Sequence, residues 1–184
     1  MGKRIDVAKP PYSTAIQKQL DKLTPEGDKP LALFTMLARD ERLFARFMAG
    51  GLLDRGHLTL RQRELAIDRI TARCGAEYEW GVHIKYFAKA VGLTAAQQYA
   101  IVHGEATDPC WAARDERLIL HLCDTLQRSC DIDDALWAEL RQEFSEMAIL
   151  ELILLCGFYR TVSYLANGTR LPLEPGAARF PARQ

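Results

Sequence analysis

The sequence predicts an all-α protein. Apolar residues recur every three to four positions along the chain, and no four-residue run fits a β-strand better than a helix. A length of 184 residues, with 48% hydrophobic and 26% charged side chains, suits one globular core. We therefore expect a single domain over residues 1–184, with extended arms at 1–12 and 172–184, where prolines cluster.

The periodicity predicts nine helices, with ends placed to within about two to four residues. In chain order they span 13–22, 31–38, 41–53, 60–74, 77–91, 95–103, 112–128, 134–144 and 146–166. Thr59 with Gln62, and Thr94 with Gln97, match the capping-box pattern before the fourth and sixth helices. Gly92 and Gly168 are expected to end the fifth and ninth helices in the left-handed conformation.

The charge balance argues against nucleic-acid and membrane partners. Lys plus Arg and Asp plus Glu both number 24, so no net field attracts a polyanion or an anionic surface. The N-terminus has no apolar signal region, and the most apolar stretch, 149–165, contains Glu151 and Arg160. We therefore expect a cytoplasmic protein.

The cysteines argue against a metal site or a redox motif. The five are scattered, with no Cys-x-x-Cys and no ligand-like spacing to a histidine, and they are interpreted as buried thiols in a reducing compartment. The histidines His57, His103 and His121 lack a second ligand nearby in sequence. No metal and no other cofactor is predicted.

Glu64 is the first candidate site residue. It shares a helical face with Leu60, Ile67 and Thr71, where an unpaired carboxylate would cost several kcal/mol in desolvation. Glu79 and His83 are four residues apart in the next helix and so lie on one face. If a turn near Gly75 folds the two helices into a hairpin, Glu64, Glu79 and His83 converge.

These residues carry a family resemblance. The string L-x-x-R-x-R-E-L-A-I at 58–67, then Tyr78-Glu79-Trp80-x-x-His83 and Gly92-Leu93-Thr94, resembles the core of the carboxymuconolactone decarboxylase and alkylhydroperoxidase D-like superfamily. The resemblance implies an alkylhydroperoxidase D-like helical bundle that forms a homo-oligomer, with sites near subunit interfaces. In the peroxidase branch, two cysteines stand where this chain has Ala76 and Glu79. Peroxide reduction needs both thiols, so that activity does not transfer.

The resemblance implies a cofactor-independent lyase or isomerase acting on a small cyclic carboxylic acid or lactone. His83 would donate a proton, Glu79 would tune it, and Glu64 would position the pair or activate a water. Trp80 and Tyr86 would wall the pocket. A substrate carboxylate would also need a cation. The nearby candidates are Arg61, Arg63, Arg73 and Lys85, and the spacing does not choose among them. Arg63 is named here as the candidate substrate-binding cation.

Three alternatives stay open at this stage. Glu64, Glu79 and His83 could form a structural network that fixes the hairpin without turnover. Trp80 and Tyr86 could pack in the core or in a subunit interface, where aromatic residues are common. The whole chain could be a non-enzymatic oligomeric scaffold or binding protein, and a residual peroxidase is the least favoured function.

Overall fold

The structure is a computed structural model that describes residues 4–183. Over that range the chain forms nine helices and no strand, which confirms the all-α prediction. The helices are α1 Thr14–Leu23, α2 Ala32–Leu37, α3 Glu41–Ala49, α4 Leu60–Arg73, α5 Glu77–Phe87, α6 Ala95–His103, α7 Arg114–Ser129, α8 Asp134–Glu143 and α9 Glu146–Thr169.

Helix ends follow local chemistry at most positions. Both capping boxes are confirmed: the Thr59 hydroxyl accepts from Gln62 N before α4, and the Thr94 hydroxyl accepts from Gln97 N before α6. The helix expected at 41–53 ends earlier, at Ala49, with Gly50 as its C-cap, and a side chain at Gly50 would meet the ring of Phe158.

The C-terminal ends of α5 and α9 depart from the expected glycine stops. α5 ends at Phe87, and irregular turns follow before Gly92, whose φ of 66° is left-handed as expected. The stop predicted at Gly168 is wrong. α9 continues to Thr169, and Arg170, with φ 56°, takes the left-handed position instead.

The central element is α4, which contacts α5, α6, α7 and α9. Every residue from Glu64 to Thr71 is buried, so this helix has no solvated face in its middle. Its polar side chains therefore need partners inside the protein. The fully buried Arg69 finds them in the carboxylate of Asp124, at 2.6 Å, and in the carbonyls of Ala100 and Ile101.

The C-terminal arm folds back onto α5 of its own chain. Ala178 N donates to Gly81 O at 3.2 Å, and the Phe180 ring packs on Trp80 with centroids 5.2 Å apart. The N-terminal arm is joined to the end of α9 by Arg4 N, which donates to Thr169 O at 2.8 Å. Of the arms expected at 1–12 and 172–184, residues 1–3 and 184 lie outside the described residues.

α9 is long and apolar enough to cross a membrane, with a mean hydropathy of 1.5. Length and composition alone give that result, and the buried core helix of a globular protein passes the same test. In this fold α9 packs against α4, α5 and α7, and its buried side supplies Leu152, Leu155 and Tyr159 to the core. Its role here is that of a core helix.

Candidate active site

The turn between α4 and α5 brings the three predicted site residues together. Gly75 adopts a φ of 63°, which is open to glycine at little cost, and the chain reverses there into α5. His83 Nδ1 then lies 2.7 Å from Glu64 Oε2, and His83 Nε2 lies 3.4 Å from Glu79 Oε1. The imidazole is thus held between two carboxylates: Glu64 from α4 and Glu79 from α5, the helix that carries His83 itself.

Arg63 fixes the other side of Glu64. Its Nε and Nη2 donate to Glu64 Oε1 at 3.0 and 2.8 Å, and its Nη1 donates to Leu53 O at 2.8 Å. Both oxygens of the fully buried Glu64 are therefore bound to cationic or polar groups. This arrangement removes the desolvation penalty that an isolated buried carboxylate would carry.

His83 is held in its charged form. Burial lowers the pKa of this imidazole, but the hydrogen bonds and the charges of Glu64 and Glu79 outweigh burial and raise the pKa to about 10. At neutral pH both ring nitrogens therefore carry protons and donate. The group is suited to give up a proton, not to take one.

A further acid, Asp68, lies one turn after Glu64 on α4. Its side chain is 1% exposed, and its Oδ1 has no hydrogen-bond partner within residues 4–183. Burial raises the pKa of Asp68 well above its ordinary value; the His83 charge lowers it and the Glu64 charge raises it. Burial thus favours the protonated, uncharged form of Asp68. Its four-residue spacing from Glu64 was the available sequence signal.

A cavity of about 450 Å³ opens beside the imidazole. Glu79, His83 and Tyr159 line it, whereas Glu64 does not. His83 Nε2 is thus the ring nitrogen that is paired with a cavity residue. Most of the remaining wall is apolar and comes from α2, α3, α5 and α9, including Leu33, Phe34, Phe47, Val82, Phe87 and Phe158.

One part of the chain is similar to a known family. Residues 41–118 match the model of the Carboxymuconolactone decarboxylase family, and this stretch includes Glu64, Glu79 and His83. No curated protein sequence matches the chain.

Solved structures show the fold over almost the whole chain. An uncharacterized peroxidase-related protein from Silicibacter sp. TM1040 matches with a TM-score of 0.83, 16% identity, and coverage of 97% of this chain and 96% of that chain. An uncharacterized peroxidase-related protein with an alkylhydroperoxidase core, from Ralstonia eutropha JMP134, matches with a TM-score of 0.82 and 15% identity, and covers 94% of this chain and 92% of that chain. A protein of unknown function from Agrobacterium tumefaciens has a TM-score of 0.67 and 20% identity, and covers 74% of this chain and 94% of that chain. At these identities the likeness confirms the alkylhydroperoxidase D-like fold alone.

Two of the three predicted substrate-binding residues do not line the cavity. Tyr86 lines the cavity, at its half-exposed edge. Trp80 does not, because it is 1% exposed and packs under Phe180 of the C-terminal arm. Arg63 does not line it either, because its guanidinium is used to hold Glu64.

The other cations near the motif are also engaged away from the cavity. Arg61 pairs with Glu116, Arg73 pairs with Asp124, and Lys85 donates to Pro175 O. The lysines that do line the cavity are Lys22, in the last turn of α1, and Lys29, in the following loop. Sequence reasoning missed them because they are far from the motif along the chain.

Tyr159 of α9 is a buried core residue that also lines the cavity. Its ring meets His83 edge to face, with centroids 5.1 Å apart and an interplanar angle of 86°. Burial and the nearby carboxylates Glu79 and Glu64 raise the pKa of this phenol well above its ordinary value. Its hydroxyl therefore stays protonated.

The cysteines take up positions unlike those of a redox pair. Cys123 and Cys156 are buried, with sulfurs 3.7 Å apart, and the contact with Cys156 together with burial raises the pKa of Cys123 well above its ordinary value. Such thiols are poor nucleophiles. The interpretation of all five as buried is wrong for Cys130, which is exposed, and Cys74 and Cys110 are half-buried. Within residues 4–183, no group of three or more His, Cys, Asp or Glu side chains is placed to hold a metal ion.

Proposed function

We propose that this protein is a cofactor-independent enzyme, a lyase or isomerase, that uses His83 for proton transfer on a small cyclic carboxylic acid or lactone. One observation carries the proposal: a protonated imidazole, held between two carboxylates, borders an apolar cavity of substrate size. The similarity of residues 41–118 to the Carboxymuconolactone decarboxylase family supports the reaction class but does not name the substrate.

For a decarboxylation, the bond between the ring carbon and its carboxylate breaks, and CO2 leaves without the bonding electrons. Those electrons form an extended enolate, which His83 stabilises with its positive charge. The Nε2 proton then moves to carbon, and neutral His83 regains a proton from solvent. Overall one proton is consumed for each CO2 released. In an isomerisation, Glu79 at the cavity wall takes a proton from one carbon while His83 Nε2 gives one to another, and a proton then returns from Glu79 to His83, so no net proton is consumed.

The surrounding residues have distinct parts in this scheme. Glu64 is a positioning residue, because its bond to Nδ1 fixes the ring and favours the imidazolium, and Arg63 holds Glu64 in place. Glu79 borders the cavity, where it can tune Nε2 or bind a water. The neutral phenol of Tyr159 is a second donor at the same wall.

We also propose that the active form is a cytoplasmic homo-oligomer without nucleic-acid or membrane partners. One side of α9 exposes Met147, Leu150 and Leu154, the last with 62% of its surface accessible. These residues are three and four positions apart and form one apolar stripe. A second copy is the occupant that the superfamily resemblance implies for such a surface.

A non-enzymatic binding protein is the second candidate function, because Glu64 and Glu79 already neutralise and orient His83 without any ligand. A residual peroxidase receives no support from the buried Cys123 and Cys156.

The test is turnover of a panel of cyclic carboxylic acids and lactones in D2O, followed by NMR for deuterium incorporation and by CO2 release. His83→Ala should lower kcat on the order of 10²- to 10⁴-fold, the usual share of a general acid, and added imidazole should restore part of it. The exposed His121→Gln is the matched control and should stay at wild-type activity. Equal turnover in His83→Ala and wild type would exclude the proposed role. If the wild type gives neither deuterium incorporation nor CO2 release with any compound, the binding-protein function is favoured.

A further inference from the structure

At the mouth of the cavity, the positively charged side chains face the cavity and the negatively charged ones do not. The segment 22–29 carries four charged residues, and all four are exposed. The two lysines, Lys22 and Lys29, line the cavity, whereas the two acids, Glu26 and Asp28, do not. Neither lysine is engaged in a salt bridge with another residue of the described range 4–183. Two free ammonium groups thus face the opening.

The cavity changes character from this rim to its inner end. Its middle is built from aromatic and aliphatic side chains, such as Phe34, Phe47 and Phe158. At the inner end lie the buried His83 and Glu79, whose charges offset each other. The cavity is therefore positive at the rim, apolar in the middle, and polar without excess charge at the inner end.

We infer that Lys22 and Lys29 form an anion clamp, and that the ligand is an amphiphilic carboxylate with a compact apolar or ring body and its carboxylate at the rim. This inference rests on the proposed function, since it takes the same cavity as the substrate site. It adds that Lys22 and Lys29 are the residues that select the substrate. The clamped carboxylate is a handle, and the atom that exchanges a proton lies at the opposite end, beside His83. Because this single carboxylate is held away from His83, the clamp favours the isomerisation over the loss of CO2.

Several features favour this ligand over others of similar size. A cationic ligand would meet the like charges of Lys22 and Lys29, which are the charged lining residues outside the His83–Glu79 pair among residues 4–183. A ligand with several charges would have to leave some of them against the apolar middle, at a large desolvation cost. A neutral ring would fit the walls but would gain nothing from the lysines.

The experiment measures binding, with 3-phenylpropionate as the probe and the uncharged 3-phenylpropanamide as its matched partner, by isothermal titration calorimetry. Because exposed ion pairs are individually weak, we expect the wild type to prefer the carboxylate by about three- to tenfold, and the preference to shrink with added salt. The double variant Lys22→Gln, Lys29→Gln should bind both compounds equally. Lys18→Gln removes an exposed charge from the same helix outside the cavity and should keep the preference.

Equal affinity of the wild type for the two probes, or no binding of either, overturns the clamp. So does a preference that survives in the double variant or is lost equally in Lys18→Gln. These outcomes do not depend on catalysis. Turnover that persists in an enzyme without carboxylate preference would leave the proposed function standing without the clamp. A lysine-dependent preference in a protein without turnover would leave the clamp standing without the proposed function.

Discussion

Glu64→Gln should release His83 from its charged state, because it removes one negative charge and keeps the shape of the side chain. The carboxylate it replaces lies 2.7 Å from His83 Nδ1, while the remaining partner, Glu79, lies 3.4 Å from Nε2. Burial lowers the pKa of His83, and in the variant only one carboxylate opposes it. The pKa should therefore fall from about 10 towards or below neutrality.

The same substitution should lower the stability. Removing one partner of a buried charged pair typically costs about 3–5 kcal/mol. For a chain of this size that corresponds to a drop in Tm of roughly 6–20 °C. The loss should be smaller where His83 is neutral in the variant, because an unpaired buried imidazolium is then avoided.

The assay is NMR of the histidine side chains, titrated from about pH 5 to about pH 11. The chain has four histidines, so the His83 signals are assigned by their absence in His83→Gln. Glu143→Gln, which neutralises an exposed acid, is the control and should leave the His83 titration unchanged. A wild-type His83 that titrates near the ordinary value of 6.5, or a Glu64→Gln variant that still titrates near 10, would refute the electrostatic reasoning.

Three further predictions concern other parts of the molecule. Turnover should be constant through neutral pH and fall as the pH rises through about 10, since the acid form of His83 is lost there; a pH–rate profile that rises over that range contradicts this. Asp68→Asn should be as stable as wild type or more stable at neutral pH. Because burial raises the pKa of Asp68, the wild-type carboxyl makes the fold less stable as the pH rises above the pKa of the unfolded chain, so any gain in the free energy of unfolding should be smaller in acid. A large loss of stability in urea unfolding would contradict the raised pKa. Gly81→Ala should displace the C-terminal arm, because the new Cβ would lie 2.3 Å from Ala178 O, and trypsin should then cut after Arg179 several-fold faster. Gly157→Ala, at an exposed helical position with nothing within 4 Å, is the matched control and should instead gain about 0.5–1 kcal/mol without faster cleavage.

The site residues that the sequence predicted lie close together along the chain, whereas those it missed lie far from them. Glu64, Glu79 and His83 lie within one helical hairpin, so periodicity and a short turn were enough to place them together. Tyr159, Lys22 and Lys29 reach the same cavity from α9 and from the α1–α2 region. Nothing local in those segments indicates which neighbour they meet.

Trp80 and Arg63 show the converse limit. Both lie beside site residues in sequence, but a helix sends adjacent side chains to different faces. Trp80 therefore turns from the cavity towards Phe180 of the C-terminal arm. The Arg63 guanidinium donates its hydrogen bonds to Glu64 and to Leu53 O instead. Proximity along the chain was a poor guide to which side chains could touch a substrate.

The sequence by itself determined the all-α class, the approximate limits of the nine helices in residues 4–183, both capping boxes and the Glu–His constellation. These depend on periodicity and on contacts between residues a few positions apart. Only the tertiary structure decided the cavity, the lysine rim, the raised pKa of the buried Asp68 and the docking of the C-terminal arm. Each of these arises from packing between distant segments, which fixes burial and therefore the pKa values, and no local pattern encodes that packing.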